Sequence, residues 1–374
     1  MRAAEPSGEY RARAPGRVNL IGEHTDYNGG LVLPAPVDRD TRVRLRLRND
    51  GLVRGRSRER GLAEAALDAA PQRDWLDYPR GMARVLAEAG WIAPAGFELE
   101  VESDLPMGAG LSSSAALLAA SALALLGAAG RALDDAERPA LAALCQSAEV
   151  EFVGVPCGLM DPFAVLCSTP GRALLLDCSS RATRPVTLPQ SLALCIFDTG
   201  VERSLRSGAY AERSAECHRA LDVARRRLGR TFAWLSELGP AELLELGPAL
   251  DPAALRRARH VVSENQRVRD FASALASADF DAAGAALFAS HASLRDDFEV
   301  SCPEADALVA DAAQLPGCVG ARLTGAGFGG CTLQLVHAAR ADAFSAALAE
   351  RFRARFGRTP RHWRAALGAR AERV

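Results

Sequence analysis

Leu105-Pro-Met-Gly-Ala-Gly-Leu-Ser-Ser-Ser-Ala-Ala116 follows a stretch of strict alternation, Phe97–Ser103, and opens an uncharged Ala/Leu run from Leu111 to Gly130. The order is strand, glycine turn, helix. Gly108 and Gly110 lack a Cβ, so the backbone can approach a bulky anion closely. Ser112, Ser113 and Ser114 stand where a helix leaves its first N–H groups unpaired and its dipole favours negative charge. Such a start can cradle phosphate without any cationic side chain. A glycine turn with a serine cap explains GxG alone, but three consecutive serines exceed what capping requires.

The chain outside this segment fits a two-domain enzyme. It has 374 residues, more than one ordinary core, and a formal net charge of −1, so no basic surplus points to nucleic acid or an anionic membrane. None of its 45 cationic side chains is a lysine. A GxxxxGK[ST] phosphate loop, a strand lysine on ATP and Schiff-base chemistry are thereby excluded. Nine cysteines without a CxxC pair, and no apolar leader, read as reduced thiols in a cytoplasmic protein. The Leu111–Gly130 run is too short and alanine-rich for a membrane span and reads as a buried helix.

Thr41–Arg48 alternates as a strand with one buried face, and Ala173–Leu176 and Leu192–Phe197 read as short buried strands. Helices are expected over Tyr210–Gly229, most of Ala241–Leu315 and Ala341–Phe356, with strand, glycine loop and strand over Ala321–Val336. Without a regular βαβ period the mixture predicts an α+β fold. The polar, proline-containing Ser179–Gln190 places a division between residues 1–185 and 186–374.

Two further segments carry chemistry. In Pro15–Gly30, Glu23, His24 and Asp26 lie within a glycine-flanked loop. They could face neighbouring hydroxyls of one sugar, could hold a metal, or could form a solvated turn. In Gly154–Phe163, Asp161 stands in an apolar stretch before Pro162, as a capping carboxylate or a catalytic one.

Together these segments resemble the galactokinase family, within the superfamily of galactose, homoserine, mevalonate and phosphomevalonate kinases. The resemblance rests on GRVNLIGEHTDYNGG (Gly16–Gly30), MGAGLSSSAAL (Met107–Leu117), FVGVPCGLMD (Phe152–Asp161), SLRDDFEVSCPE (Ser293–Glu304) and LTGAGFGGC (Leu323–Cys331). It implies a two-domain fold with the site between the domains and transfer of the γ-phosphoryl group of ATP to the C1 hydroxyl of galactose. Arg17 would stabilise the transferring group, and Asp161 would accept the hydroxyl proton. Glu23, His24, Asp26, the Gly158 backbone and Tyr210 would hold the sugar. Gly108, Ala109, Gly110, Leu111, Ser112, Ser113 and Ser114 would wrap the phosphates, Ser114 and Glu149 would carry Mg²⁺, and Trp75 and Tyr78 would contact adenine. No nucleic acid, membrane or obligate protein partner is implied. The chain departs from the family at Pro162, where glutamine is usual, and at Arg203, where histidine is usual, which bears on substrate preference. A kinase for N-acetylgalactosamine or a similar sugar shares nearly all these motifs. A sugar- and ATP-binding sensor that turns nothing over would lose residues from the glycine–serine loop, which is intact here.

Overall fold

The protein is described from a computed structural model covering residues 8–106, 110–201 and 207–374. Its largest sheet has six strands in the order Glu372–Arg373, Tyr10–Asn19, Pro34–Arg48, Gly96–Ser103, Leu52–Ser57 and Gly61–Ala66. Alternation decides the faces. Along Pro34–Arg48, Val43 and Leu45 are buried, while Arg42, Arg44 and Arg46 face water opposite Glu102, Glu100 and Glu98 of the next strand. Exposed pairs of this kind set register more than they add stability.

The helix Ser113–Ala128 packs on Tyr10–Asn19 and Pro34–Arg48. It is apolar nearly all round and buried along most of its length, as a helix sandwiched inside a domain must be. A second, antiparallel sheet runs Cys318–Thr324, Cys331–His337, Leu192–Asp198, Arg361–Ala365. Helices Pro252–Ser277 and Phe280–Asp296 pack together beside its first strand. Leu31–Val32, Ala173–Asp177 and Thr183–Val186 form a small third sheet. The architecture is α+β, as expected. The division expected at 185/186 falls inside the strand Thr183–Val186, and Glu372–Arg373 returns to pair with Ala12 and Arg13.

The strands and helices read from periodicity lie where expected, within a few residues at their ends. The Tyr10–Asn19 strand was not legible as one, because Pro15 and Gly16 interrupt its alternation. The structure accommodates them with a register shift between Pro15 and Arg17. Bulges of this sort re-aim a side chain, and here the side chain is Arg17. Gly16 matters for another reason: a Cβ there would lie 2.3 Å from the Leu105 side chain and 2.7 Å from the Leu111 carbonyl oxygen. Its absence lets the Arg17 N–H donate to that carbonyl at 3.0 Å, fastening the strand to the serine loop.

Gly16→Ala should therefore push strand and loop apart. Urea denaturation is expected to show a loss of about 1–3 kcal/mol, the usual cost of overpacking a filled site; an unchanged midpoint would contradict the contact.

Candidate active site

Arg17 emerges from the bulge with its guanidinium buried. Its Nε donates to Asp161 Oδ1 at 2.7 Å and its Nη2 to Oδ2 at 3.0 Å, while Nη1 donates to the Gly110 carbonyl. This is the planar fork-to-fork pairing that arginine makes and lysine cannot. Asp161 lies in the first turn of the helix Met160–Cys167, where the helix end favours an anion. The helix begins two residues earlier than Pro162 suggests, so Asp161 is not its cap. Instead its carboxylate also accepts the Ser112 hydroxyl. Ser112 reaches it from a left-handed backbone conformation (φ 57°) directly before the helix Ser113–Ala128. A carboxylate has roughly four acceptor positions; these three hydrogen bonds leave one, on Oδ1.

A cavity of about 270 Å³ adjoins this pair, and Arg17, Glu23, His24, Asp26, Gly158, Asp161 and Tyr210 all line it, together with Met160, Cys157, Gly325 and Ala326. Its size is at the small end for small-molecule sites. Glu23 is buried, its Oε1 accepting from the Gly325 N–H at 2.8 Å with the Thr324 hydroxyl oxygen 3.3 Å away, its Oε2 facing Arg322 as an ion pair. Burial pushes the Glu23 carboxyl pKa up against the pull of Arg322. His24 (φ 62°) stacks on Phe298 at 4.5 Å between centroids. Desolvation lowers its pKa to about 3, so the imidazole is neutral. Nε2 lies 3.2 Å from the Ala326 carbonyl, which can only accept, and Nδ1 lies 3.0 Å from the Tyr27 hydroxyl. Both ring nitrogens are thus committed within the protein, and His24 offers the cavity its ring. Asp26 is raised to about 6, by burial first and then by the neighbouring Asp161 charge. Gly158 permits that placement: a Cβ on it would sit 1.8 Å from Asp26 Oδ2. Tyr210, on the helix Ser207–Arg227, packs 5.7 Å from the His24 ring, and burial raises its hydroxyl pKa well above the usual value, keeping it a donor.

A second cavity, about 170 Å³, contains Trp75, Tyr78, Ser113 and Ser114. The two aromatics and the helix start thus share one space. Gly110 and Leu111 both turn their carbonyls to Arg17. Gly108 and Ala109, like Arg203, lie outside the described residues.

Glu149 sits in a π-helical turn, Ala148–Val153, of the kind that recurs at functional sites. It is buried, and desolvation, with the Asp161 charge adding, raises its pKa to about 7. The Ser114 hydroxyl and, at 3.5 Å, the Cys157 thiol donate to it. One hydroxyl and one carboxylate in this setting fit Mg²⁺, a hard cation that takes few protein oxygens and offsets a buried negative charge. The described residues contain no group of three or more His, Cys, Asp or Glu side chains placed to hold a metal. Sequence reasoning missed Ser112 as a partner of Asp161, Cys157 on Glu149, and Arg322 behind Glu23. Ser112 lay within the motif read for phosphate; Arg322 is one of many arginines in a strand and carried no signal.

Residues 3–47 match the galactokinase galactose-binding signature, 77–169 the GHMP kinases N terminal domain and 271–354 the GHMP kinases C terminal family. The chain is 43% identical over 360 residues to a galactokinase of Chloroflexus aggregans, covering 93% of this chain and 89% of that one. A crystal structure of Lactococcus lactis galactokinase complexed with galactose superposes with a TM-score of 0.93 at 33% identity, over 99% of this chain and 96% of that one. Mevalonate kinase of Methanococcus jannaschii shares the fold, with a TM-score of 0.68 at 17% identity over 96% and 99% of the two chains.

The raised Asp26 pKa predicts a pH dependence of stability in the ligand-free protein. The folded state holds this proton more tightly than the unfolded chain, so the contribution is favourable below pH 4 and lost as pH rises to about 6. Relative to Asp26→Asn, the wild type should lose on the order of 2–3 kcal/mol across that window in denaturant titrations. Parallel curves for the two proteins would show that Asp26 titrates normally.

Proposed function

The chain belongs to the galactokinase family, and on that premise we propose how its residues transfer the γ-phosphoryl group of ATP to the C1 hydroxyl of α-D-galactose, giving galactose 1-phosphate and ADP. One observation carries the reading: the bidentate Arg17–Asp161 pair stands between a hexose-sized cavity and the start of the Ser113–Ala128 helix.

Galactose occupies the larger cavity. Asp26, Glu23, the Gly158 backbone and the Tyr210 hydroxyl hold its hydroxyls, and His24 packs against it. The remaining acceptor position on Asp161 Oδ1 receives the C1 hydroxyl proton as that oxygen attacks. Arg17 and Ser112 keep the carboxylate turned to that point. Phosphoryl transfer needs mostly positioning and charge stabilisation, and Arg17 supplies a permanent cation at the point of transfer. The adenine lies between Trp75 and Tyr78, whose faces suit a purine ring. The backbone amides from Gly108 to Ser114 hold the phosphates. Ser114 and Glu149 would hold Mg²⁺, which when bound neutralises charge across the β- and γ-phosphates. Residues 1–185 carry most of this machinery and 186–374 close it from the other side. We place the enzyme in the cytoplasm, where ATP is supplied.

The test is a purified-protein assay with ATP, Mg²⁺ and a sugar panel, with the product read by phosphorus NMR. The expected product is galactose phosphorylated at C1, with N-acetylgalactosamine and glucose turned over at least about tenfold more slowly, within reach of a pocket that rejects by shape. Preference for the N-acetyl sugar, or sugar binding without turnover, would replace this reading. Asp161→Asn should lower kcat by about 100- to 10,000-fold, the range for a lost proton acceptor, with galactose affinity changed only a few-fold. Near-normal turnover would remove Asp161 from the proton path.

A further inference from the structure

We infer that Arg322, on the strand Cys318–Thr324, is a positioning residue that aims the Glu23 carboxylate at a galactose hydroxyl; the inference rests on the larger cavity being the galactose site. Arg322 is fully buried (0% exposed) and its contacts all go to one turn of the chain. Its Nη1 donates to the Leu20 carbonyl at 3.1 Å and more weakly to that of Asn19 at 3.3 Å, and its Nη2 pairs with Glu23 Oε2. Two residues further on, the Thr324 hydroxyl donates to the Asn19 carbonyl at 2.9 Å, and the Gly325 N–H holds Glu23 Oε1 at 2.8 Å. One strand end thus fastens both the backbone of the turn and the carboxylate that projects from it.

The other side of the turn is held separately. Glu264 Oε1 accepts from the Gly22 N–H at 3.0 Å, and His260 Nε2 donates to the Glu23 carbonyl at 3.0 Å. Those contacts fix the main chain and leave the Glu23 side chain to Arg322 and Gly325. A carboxylate has roughly four acceptor positions; Oε1 takes the Gly325 N–H and Oε2 faces Arg322 as an ion pair, so Glu23 keeps acceptor capacity toward the cavity it lines. Arg322 is the cation that faces this carboxylate, and a guanidinium can bridge two carbonyls and a carboxylate where an ammonium cannot. Without it the buried carboxyl would take up a proton and change from acceptor to donor. Arg322 therefore sets both the direction and the hydrogen-bonding sense of Glu23, without touching the sugar.

The experiment measures kcat and KM for galactose, ATP and the four monodeoxygalactoses (2-, 3-, 4- and 6-deoxy) in wild type, Arg322→Lys, Glu23→Gln and the double variant Glu23→Gln/Arg322→Met. Arg322→Lys should raise the galactose KM about 10- to 100-fold, the affinity equivalent of one hydrogen bond to a charged group, with the ATP KM within about twofold. The penalty should vanish for one deoxy sugar, the one lacking the hydroxyl that Glu23 accepts. The double variant removes both buried charges together, so it tolerates folding better than loss of either alone; its galactose KM should equal that of Glu23→Gln. Arg322→Lys with an unchanged galactose KM, equal losses for galactose and ATP, or equal losses across all deoxy sugars would each overturn the inference. So would a double variant that adds a full further penalty to Glu23→Gln. Failure of the wild type to phosphorylate galactose would instead strike at the reading of the cavity itself.

Discussion

A buried guanidinium and a half-buried carboxylate at the edge of a cavity, joined by two parallel hydrogen bonds, set the terms for the rest of this site. Each ion loses several kcal/mol of hydration on burial, and only close geometry with further hydrogen bonds offsets that. Arg17 comes from a bulged strand near the N-terminus and Asp161 from a helix start 144 residues later. The Gly110 carbonyl and Ser112 hydroxyl, from the loop between them, add one further hydrogen bond to each ion and leave one acceptor position of Asp161 open to the cavity. Displacing any of these three elements would leave a buried charge without its partner. The cavity beside the pair, the helix start and the strand are consequently one mechanical unit.

The same pair explains the unusual acid content around it. Asp26, Glu149 and Asp161 all lie near Arg17, and Asp26 and Glu149 are pushed up to about 6 and about 7 by burial and by Asp161. The site gathers three carboxyl groups around one arginine, and burial with mutual repulsion favours the protonated forms of Asp26 and Glu149. That arrangement costs stability, which is the usual trade at a functional site.

Most of the framework was legible because it obeys period: Val43 and Leu45 alternate with arginines, and Ser113–Ala128 has no polar face. Arg17, Glu23, His24, Asp26, Gly158, Asp161 and Tyr210 line one cavity, and what had singled them out was motif resemblance and not spacing. Local rules failed where tertiary contacts decide. Pro162 pointed to a helix start that lies earlier, because Asp161 is held by Arg17 and Ser112 and has no capping role. Pro15 and Gly16 hid a strand whose irregularity exists to aim Arg17. His24 read as a free polar contact, whereas Tyr27 and Ala326 take both of its nitrogens. No single-sequence pattern encodes partners that lie hundreds of residues apart.

The absence of lysine acquires a structural meaning at these partners. Arg138 donates through one nitrogen to the Leu166 and Ala371 carbonyls, Arg257 joins Glu216, Glu299 and the Asp297 carbonyl, and Arg322 spans Asn19, Leu20 and Glu23. Each ties chain segments far apart in sequence through a planar set of donors, which a compact ammonium cannot match. The turn from Asn19 to Leu31 is the clearest case. Besides its internal hydrogen bonds, it is tied by Arg322, Thr324, Gly325, His260, Glu264 and Asn265, all from the second half of the chain. The segment that reads as the sugar-binding signature closes locally, with Asn28 and Gly30 donating to the Thr25 carbonyl and the Thr25 hydroxyl turned to Gly22 and Leu31, and is then held from outside. The strand ending at Thr324 and the helix Pro252–Ser277 fix its place in the fold, so the motif near the N-terminus and the glycine loop at Leu323–Cys331 are two faces of one folded joint.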